Sequence, residues 1–392
     1  MTVEMLRATF RLLAKTLGSD ITLSEEDREL IKNSVGDIFH YSKHNDIAHL
    51  VGYALEEEGL ISKENEHFAI FQRAQYMAIF RQENQDYELN RVCSALEEAG
   101  IDYMPLKGSV IRQLYPAPWM RTSCDVDILV KKENFADAKK CLLEALGYRQ
   151  GKESLHDESF NSDTGVHLEL HFDLLEEGRT VNSGRVLAGV WESARVADGK
   201  KHQMLMSDEM FYFYHIAHIA KHFEIGGVGM RPFLDLYILR RDTSNEEKRQ
   251  ELLRLGGIDT FEAVAKSIAK SWFEGGELDE VGLRAERFVL LCGTYGSVYN
   301  MMVLEKERLG KGFKYLFKRV FMPFESVKYA YPILNKHKWL FPFCQVARWF
   351  KLLSPKRAKK AVREVKRAHT EFEPELQKMN ELLRDVGLKK TV

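Results

Sequence analysis

Residues 166–174, VHLELHFDL, alternate apolar and polar side chains almost without a break. Val166, Leu168, Leu170 and Phe172 fall on one face, and His167, Glu169, His171 and Asp173 on the other. A period of two over this length demands a sheet with one buried face. Residues 124–130, CDVDILV, have the same character: Val126 and Ile128 point into a core, and Asp125 and Asp127 leave the opposite face. Residues 101–106, IDYMPL, form a third short strand candidate, and a further strand is expected around residues 158–161. Between them KKENFADAKKCLLEALG reads as a helix with Phe135, Ala138, Leu142 and Ala145 inward and Gly147 as its stop. Helices and strands alternating over about 75 residues make a small α/β unit.

The chain has 392 residues, too many for one ordinary core. Helical periodicity dominates on both sides of the sheet. Leu6, Phe10, Leu13 and Leu17 recur at helical spacing, and Ser24 before Glu25 and Glu26 is an N-cap signal. Leu89, Val92, Cys93 and Leu96 share one face of a helix that Gly100 ends. From Ser207 five more helix candidates follow. The expected class is α+β, a small mixed sheet flanked by helical regions. The expected division is a helical region at 1–99, the α/β core at 100–205, a helical unit completing the cleft at 206–310, and a basic, aromatic-rich helical region at 311–392.

Net charge is −1, which says nothing about partners until it is resolved along the chain. Residues 311–367 hold 16 Lys or Arg against Glu325 and Glu364, about +14, which leaves about −15 elsewhere. Aromatic rings interleave with these charges. The segment suits a polyanion such as RNA, a peripheral membrane contact around WLFPFCQVARWFKLL, or a basic face packed on an acidic body. Five scattered cysteines form no C-x-x-C pair, so neither a disulfide framework nor a zinc ribbon is expected. Charged residues interrupt the N-terminal apolar stretch, no small-residue cleavage site follows, and no run approaches a spanning helix. The chain reads as cytoplasmic.

Asp125 and Asp127, two apart on an apolar strand, form a ligand pair suited to Mg²⁺, a hard cation that takes one or two protein carboxylates besides phosphate oxygens. Glu169 on another amphipathic strand would complete a site for two metals. A lone D-x-D is commonly a solvated strand face. Here the pair is flanked by Ile128, Leu129 and Val130, a third acid follows, and Lys107-Gly108-Ser109 forms a turn before a short helical piece, VIRQLY, where free N–H groups can hold phosphate.

This combination resembles the DNA-polymerase-β-like nucleotidyltransferase superfamily: Gly-Ser opening a helix, D-x-D on a strand, and one more acid on a later strand. PLKGSVIRQLYP, MRTSCDVDILV and HLELH are closer still to a poorly characterised bacterial group called nucleotidyltransferase family proteins. That group carries L-K-G, an Arg four residues before D-x-D, and an acid-Leu-His strand, matched here by Arg121, Asp125, Asp127, Glu169 and His171. The resemblance is clearest over residues 101 to about 240. It implies transfer of a nucleoside monophosphate from an NTP to an acceptor hydroxyl, with release of pyrophosphate. Asp125 and Asp127 would bind Mg²⁺ and the triphosphate, and Glu169 the second ion or the acceptor proton; Mn²⁺ is the alternative metal. Gly108 and Ser109 would cradle phosphates, Lys107 or Arg121 would neutralise the leaving group, and His171 and Lys221 would join the nucleotide contacts. The 17 residues from Gly108 to Asp125 exceed the spacing of the minimal transferases, which leaves the placement of Ser109 open.

His215, His218 and His222 recur on one helix face without H-E-x-x-H, which reads as packing or cleft lining ahead of zinc. Arg231 and Asp235, four apart in RPFLDLYIL, read as a helix ion pair or as site-lining groups. The glycines of EIGGVGMR do not follow a strand, so they make no dinucleotide fingerprint. Two functions from different classes follow: a Mg²⁺-dependent transferase, or a binding protein that holds nucleotide or RNA on the same fold without chemistry. The acceptor, whether small molecule, sugar, protein hydroxyl or RNA, is open.

Overall fold

The computed structural model describes residues 2–174, 182–240, 245–293, 321, 324, 327, 331–335, 337–352 and 372–389. Five helices precede the sheet: α1 (Val3–Thr16), α2 (Glu25–Asn33), α3 (Val35–His44), α4 (Ala48–Glu57) and α5 (Phe68–Glu98). The Ser24 side chain accepts from the Asp27 amide at the start of α2, with three acids in that first turn. Gly100 follows α5 at φ 69°, a conformation that a side chain would strain.

Five strands then form one mixed sheet: β1 (Tyr103–Pro105), β2 (Asp125–Val130), β3 (Arg149–Glu153), β4 (Asp157–Asn161) and β5 (His167–His171). Their spatial order is β1-β2-β5-β4-β3, with β2 and β5 parallel and every other pair antiparallel. The expected α+β class is therefore present. The even positions Val126, Ile128, Val130, Leu168 and Leu170 bury against Val92, Cys93 and Leu96 of α5 and Ala138 and Leu142 of the following helix. The odd positions are left to face the other way.

Two local readings change. The helix after β2 is α7 (Phe135–Lys140), and it continues as a π turn over Cys141–Ala145. That wider turn carries Ala145 off the buried stripe, so it is exposed where an inward position was expected. The short helix α6 (Lys107–Ile111) begins at Lys107 itself, so Lys-Gly-Ser forms its first turn instead of preceding it.

Downstream lie α8 (Ser183–Leu187), the hairpin β6 (Arg195–Val196) and β7 (Met204–Leu205), then α9 (Asp208–Ile225), α10 (Arg231–Leu239), α11 (Glu246–Gly256), α12 (Asp259–Glu274) and α13 (Glu280–Leu290). These last five coincide with the five helices expected from periodicity. They share one continuous core with α1–α4. The Phe10 and Trp272 rings stand 4.7 Å apart, and Glu286 accepts from both Arg7 and Trp272 Nε1. Helices α1–α4 and α9–α13 thus pack together, and Met104 and Leu129 of the sheet join their core. Most of the basic stretch 311–367 lies outside the described residues. Two later helices, α14 (Phe341–Leu352) and α15 (Phe372–Asp385), are described. No described helix is long and apolar enough to cross a membrane.

Candidate active site

Parallel pairing of β2 with β5 sets Asp125 opposite His167 and Asp127 opposite Glu169. All four share the sheet face opposite the core that α5 and α7 build, and on that face a cavity of about 340 Å³ opens beneath α9. Asp127, Glu169 and His171 bring one ligand atom each within 4.8 Å of one another, which no other group of three or more His, Cys, Asp or Glu achieves among the described residues. Asp125 lines the same cavity but is not in that set.

Asp127 is the centre of this group. Its Oδ1 accepts from Lys107 Nζ at 2.8 Å and lies 2.8 Å from His171 Nε2, while Glu169 Oε2 lies 3.5 Å from the same ring nitrogen. Burial pushes the Asp127 carboxyl up, but the Lys107 and His171 charges outweigh it and hold it down at about 2. Glu169 is held below the usual carboxylate range by hydrogen bonds from His167 and His171. Asp125 goes the other way: burial, then the neighbouring Asp127 charge, raises it to about 6. His171 is pulled down by burial and raised further by bonds to Asp127 and Glu169. Its Nδ1 is buried with no hydrogen bond. Two carboxylates and an imidazole at this spacing are a donor set that fits a divalent cation.

Lys107 opens α6 at φ 41°, in the left-handed region that a side chain adopts only under local constraint. Gly108 lies behind it. A Cβ there would come within 2.9 Å of Arg121 Nη1 and 3.1 Å of Ser123 Cβ, so a side chain would have to push the Arg121 guanidinium aside. Ser109, expected over the phosphates, is buried, its amide donates to the Leu106 carbonyl, and it is not among the residues lining the cavity. Ser123 lines the cavity beside Gly108 instead.

Arg121 also lines the cavity, yet its guanidinium is committed. Nε and Nη2 donate to the two oxygens of Asp235, at 3.2 and 2.8 Å, and the Tyr115 hydroxyl donates to the same carboxylate at 2.8 Å. Asp235 is 1 % exposed. The expected ion pair between Arg231 and Asp235 is absent, because each reaches across to another element. Arg231 Nη1 donates to Asp46 Oδ2 at 3.0 Å, and Asp235 receives Arg121. Tertiary geometry overrides the i, i+4 spacing.

Sequence reasoning passed over the support beneath the turn. Arg112, 1 % exposed, donates from Nε to the Gly108 carbonyl and from Nη2 to Gln85 Oε1 and Ser123 Oγ. Gln85 in turn donates to the Ser123 carbonyl. A polar glutamine inside a long helix and an arginine inside VIRQLY gave one signal, in that both interrupt otherwise buried stripes. Only the fold brings them together. Strand β3, RQGKE, was also missed, because it is wholly exposed and carries no alternation.

The opposite wall is α9. Its Tyr214, His215, His218, Lys221 and His222 line the cavity, as expected for cleft lining. His215 is bound to the Pro232 carbonyl at 3.2 Å. The three histidines do not gather as a metal-ligand set.

Residues 32–274 match the model of a protein family described as "Uncharacterised nucleotidyltransferase". The solution structure of the antibiotic-resistance factor ANT(2'')-Ia is similar at 14 % identity and a TM-score of 0.26, over 48 % of this chain and 91 % of that one. No curated protein matches the chain.

Proposed function

The chain belongs to that family of uncharacterised nucleotidyltransferases, which covers more than half of its residues, and from this premise we propose that it is an active, divalent-metal-dependent enzyme. It moves a nucleoside monophosphate from an NTP to an acceptor hydroxyl. The hydroxyl oxygen bonds to the α-phosphorus, the bond from that phosphorus to the oxygen bridging to the β-phosphorus breaks, and the products are the nucleotidylated acceptor, pyrophosphate and a proton. The observation that carries the reading is the facing of Asp127 and Glu169 across the parallel β2–β5 ladder, on one cavity with Asp125 and Lys107.

Asp125, Asp127 and Glu169 are the residues that would hold two Mg²⁺ or Mn²⁺ ions, with His171 orienting the carboxylates. Such ions, when bound, supply positive charge against the triphosphate and the departing pyrophosphate. Glu169, held below the usual carboxylate range, suits charge holding better than proton abstraction. Lys107 carries a cation on a long side chain beside Gly108, whose bare backbone admits phosphate oxygens closely. Arg121 shapes the turn through Asp235 instead of meeting the nucleotide directly.

Pyrophosphate release from each of the four NTPs, with Mg²⁺ or Mn²⁺ and separate pools of sugars, small metabolites, proteins and total RNA, tests the proposal. Release is expected in one pool and lost in Asp125→Asn. NTP binding without release in any pool would leave a nucleotide-binding protein without chemistry.

A further inference from the structure

Helix α9 presents Phe211, Tyr214, His218, Ile219 and His222 to the cavity, a single stripe at three- and four-residue spacing. The Tyr214 hydroxyl and the His218 and His222 rings make no hydrogen bond among the described residues, although Asp127 and Lys107 act electrostatically on both Tyr214 and His218. The rings of His218 and His222 pack edge to face at 4.5 Å. Burial depresses both histidines, His218 well below the ordinary value and His222 to about 4, so both are uncharged at neutral pH.

The cavity is therefore divided. Its floor on β2, β5 and α6 carries Asp125, Asp127, Glu169 and Lys107. Its roof on α9 carries one cation, Lys221, and otherwise uncharged rings with open donors and acceptors, set between apolar Phe211 and Ile219. A nucleoside triphosphate has the same division, a polyanion at one end and an uncharged hydroxyl-bearing sugar and heterocycle at the other. A neutral imidazole gives hydrogen bonds to sugar hydroxyls and ring nitrogens but has no charge with which to attract a second phosphate.

We propose that Tyr214, His218 and His222 seat the nucleoside half of the substrate, with Phe211 and Ile219 flanking it. The assignment rests on the transferase reading above and adds which wall distinguishes an NTP from a bare phosphate chain.

Calorimetric titration of the full chain with ATP, GTP, CTP, UTP and inorganic tripolyphosphate, each with Mg²⁺, separates the two ideas. At least one NTP is expected to bind at least tenfold more tightly than tripolyphosphate, since each net hydrogen bond is worth roughly a fivefold to tenfold change. His218→Ala and His222→Ala should each reduce that preference several-fold and leave tripolyphosphate affinity unchanged. Tyr214→Phe, which deletes one oxygen and keeps the ring, should reduce it without disturbing the fold. Equal affinity of the native chain for tripolyphosphate and every NTP would overturn the α9 assignment and spare the transferase reading. So would variants that keep the preference intact. Failure of all five ligands to bind would defeat both.

Discussion

The ammonium of Lys107 rests 2.8 Å from Asp127 Oδ1, on the carboxylate that also faces Glu169 and His171. A cation is thus already built into the acid cluster. Burial works against the Lys107 charge, and Asp127, Tyr214 and Asp125 together more than offset it, so the amine stays protonated. A divalent ion entering the cluster competes with this lysine for the same oxygen.

Lys107→Met is therefore expected to raise Mn²⁺ affinity by roughly three- to tenfold, because the competing charge is gone. Nucleotidyl transfer should fall in the same variant, since the cation beside the triphosphate is lost with it. Electron paramagnetic resonance of Mn²⁺ in the absence of nucleotide reads the first effect alone. Unchanged or weaker Mn²⁺ binding would show that Lys107 does not stand in the ion's way.

Asp127→Asn should abolish transfer and also weaken the fold. Repulsion among three clustered acids argues that removing one charge is harmless, but the structure adds an opposing effect. Asn would leave the mostly buried Lys107 ammonium with one counter-charge fewer, at a cost of about 1–3 kcal/mol. Chemical denaturation of native and variant chains measures the balance. Equal stability would mean that relief of repulsion cancels the lost ion pair.

The Arg121–Asp235 pair ties the loop before β2 to α10, across 114 positions of sequence. Asp235→Ala strands a buried guanidinium and a tyrosine hydroxyl together, and is expected to cost about 3–5 kcal/mol. Replacing both partners, as in Arg121→Met with Asp235→Leu, should recover much of the loss, because no unpaired charge then remains. A urea unfolding series on the three chains checks this. A double variant as unstable as Asp235→Ala would point to the lost hydrogen bonds to Tyr115 and Thr122 instead.

The parity of VHLELHFDL and CDVDILV carried the sheet, its buried face and the acids facing the cavity, because strand periodicity is local and survives in the bare sequence. The pairing of Asp127 with Glu169 was legible to the extent that both lay on polar faces. That β2 and β5 are parallel neighbours is a property of topology. The partners of Arg121, Arg112 and Arg231 lie on other elements, so spacing could only offer the nearest acid, and for Arg231 that was the wrong one. Ser109 shows the same limit. Its place relative to the cavity turns on whether the helix starts at residue 107 or three residues later, and boundaries are the least local feature of a helix.

Asp125 and Asp127 lie two residues apart and titrate in opposite directions, which separates their pH effects. Asp127, held at about 2 by Lys107 and His171 against burial, contributes stability that is lost only as pH falls from about 4 toward 2. Asp125, raised to about 6 by burial and by the Asp127 charge, does the reverse. Between about 4 and 6 the folded chain keeps a proton that the unfolded chain has released, so this residue lowers stability as pH rises through that window. Above about 6 the penalty is complete and flat. A divalent ion requires the ionised carboxylate, so Mn²⁺ affinity should climb as pH rises to about 6 and level off beyond it. Asp125→Asn should bind the ion more weakly and without that step, and its thermal stability relative to the native chain should improve as pH rises from 4 to 6. Mn²⁺ titrations at half-unit intervals from pH 5 to 8 read the first effect, and melting curves at pH 4 to 7 the second. Native affinity that stays constant through pH 6 would remove Asp125 from the ion's ligands.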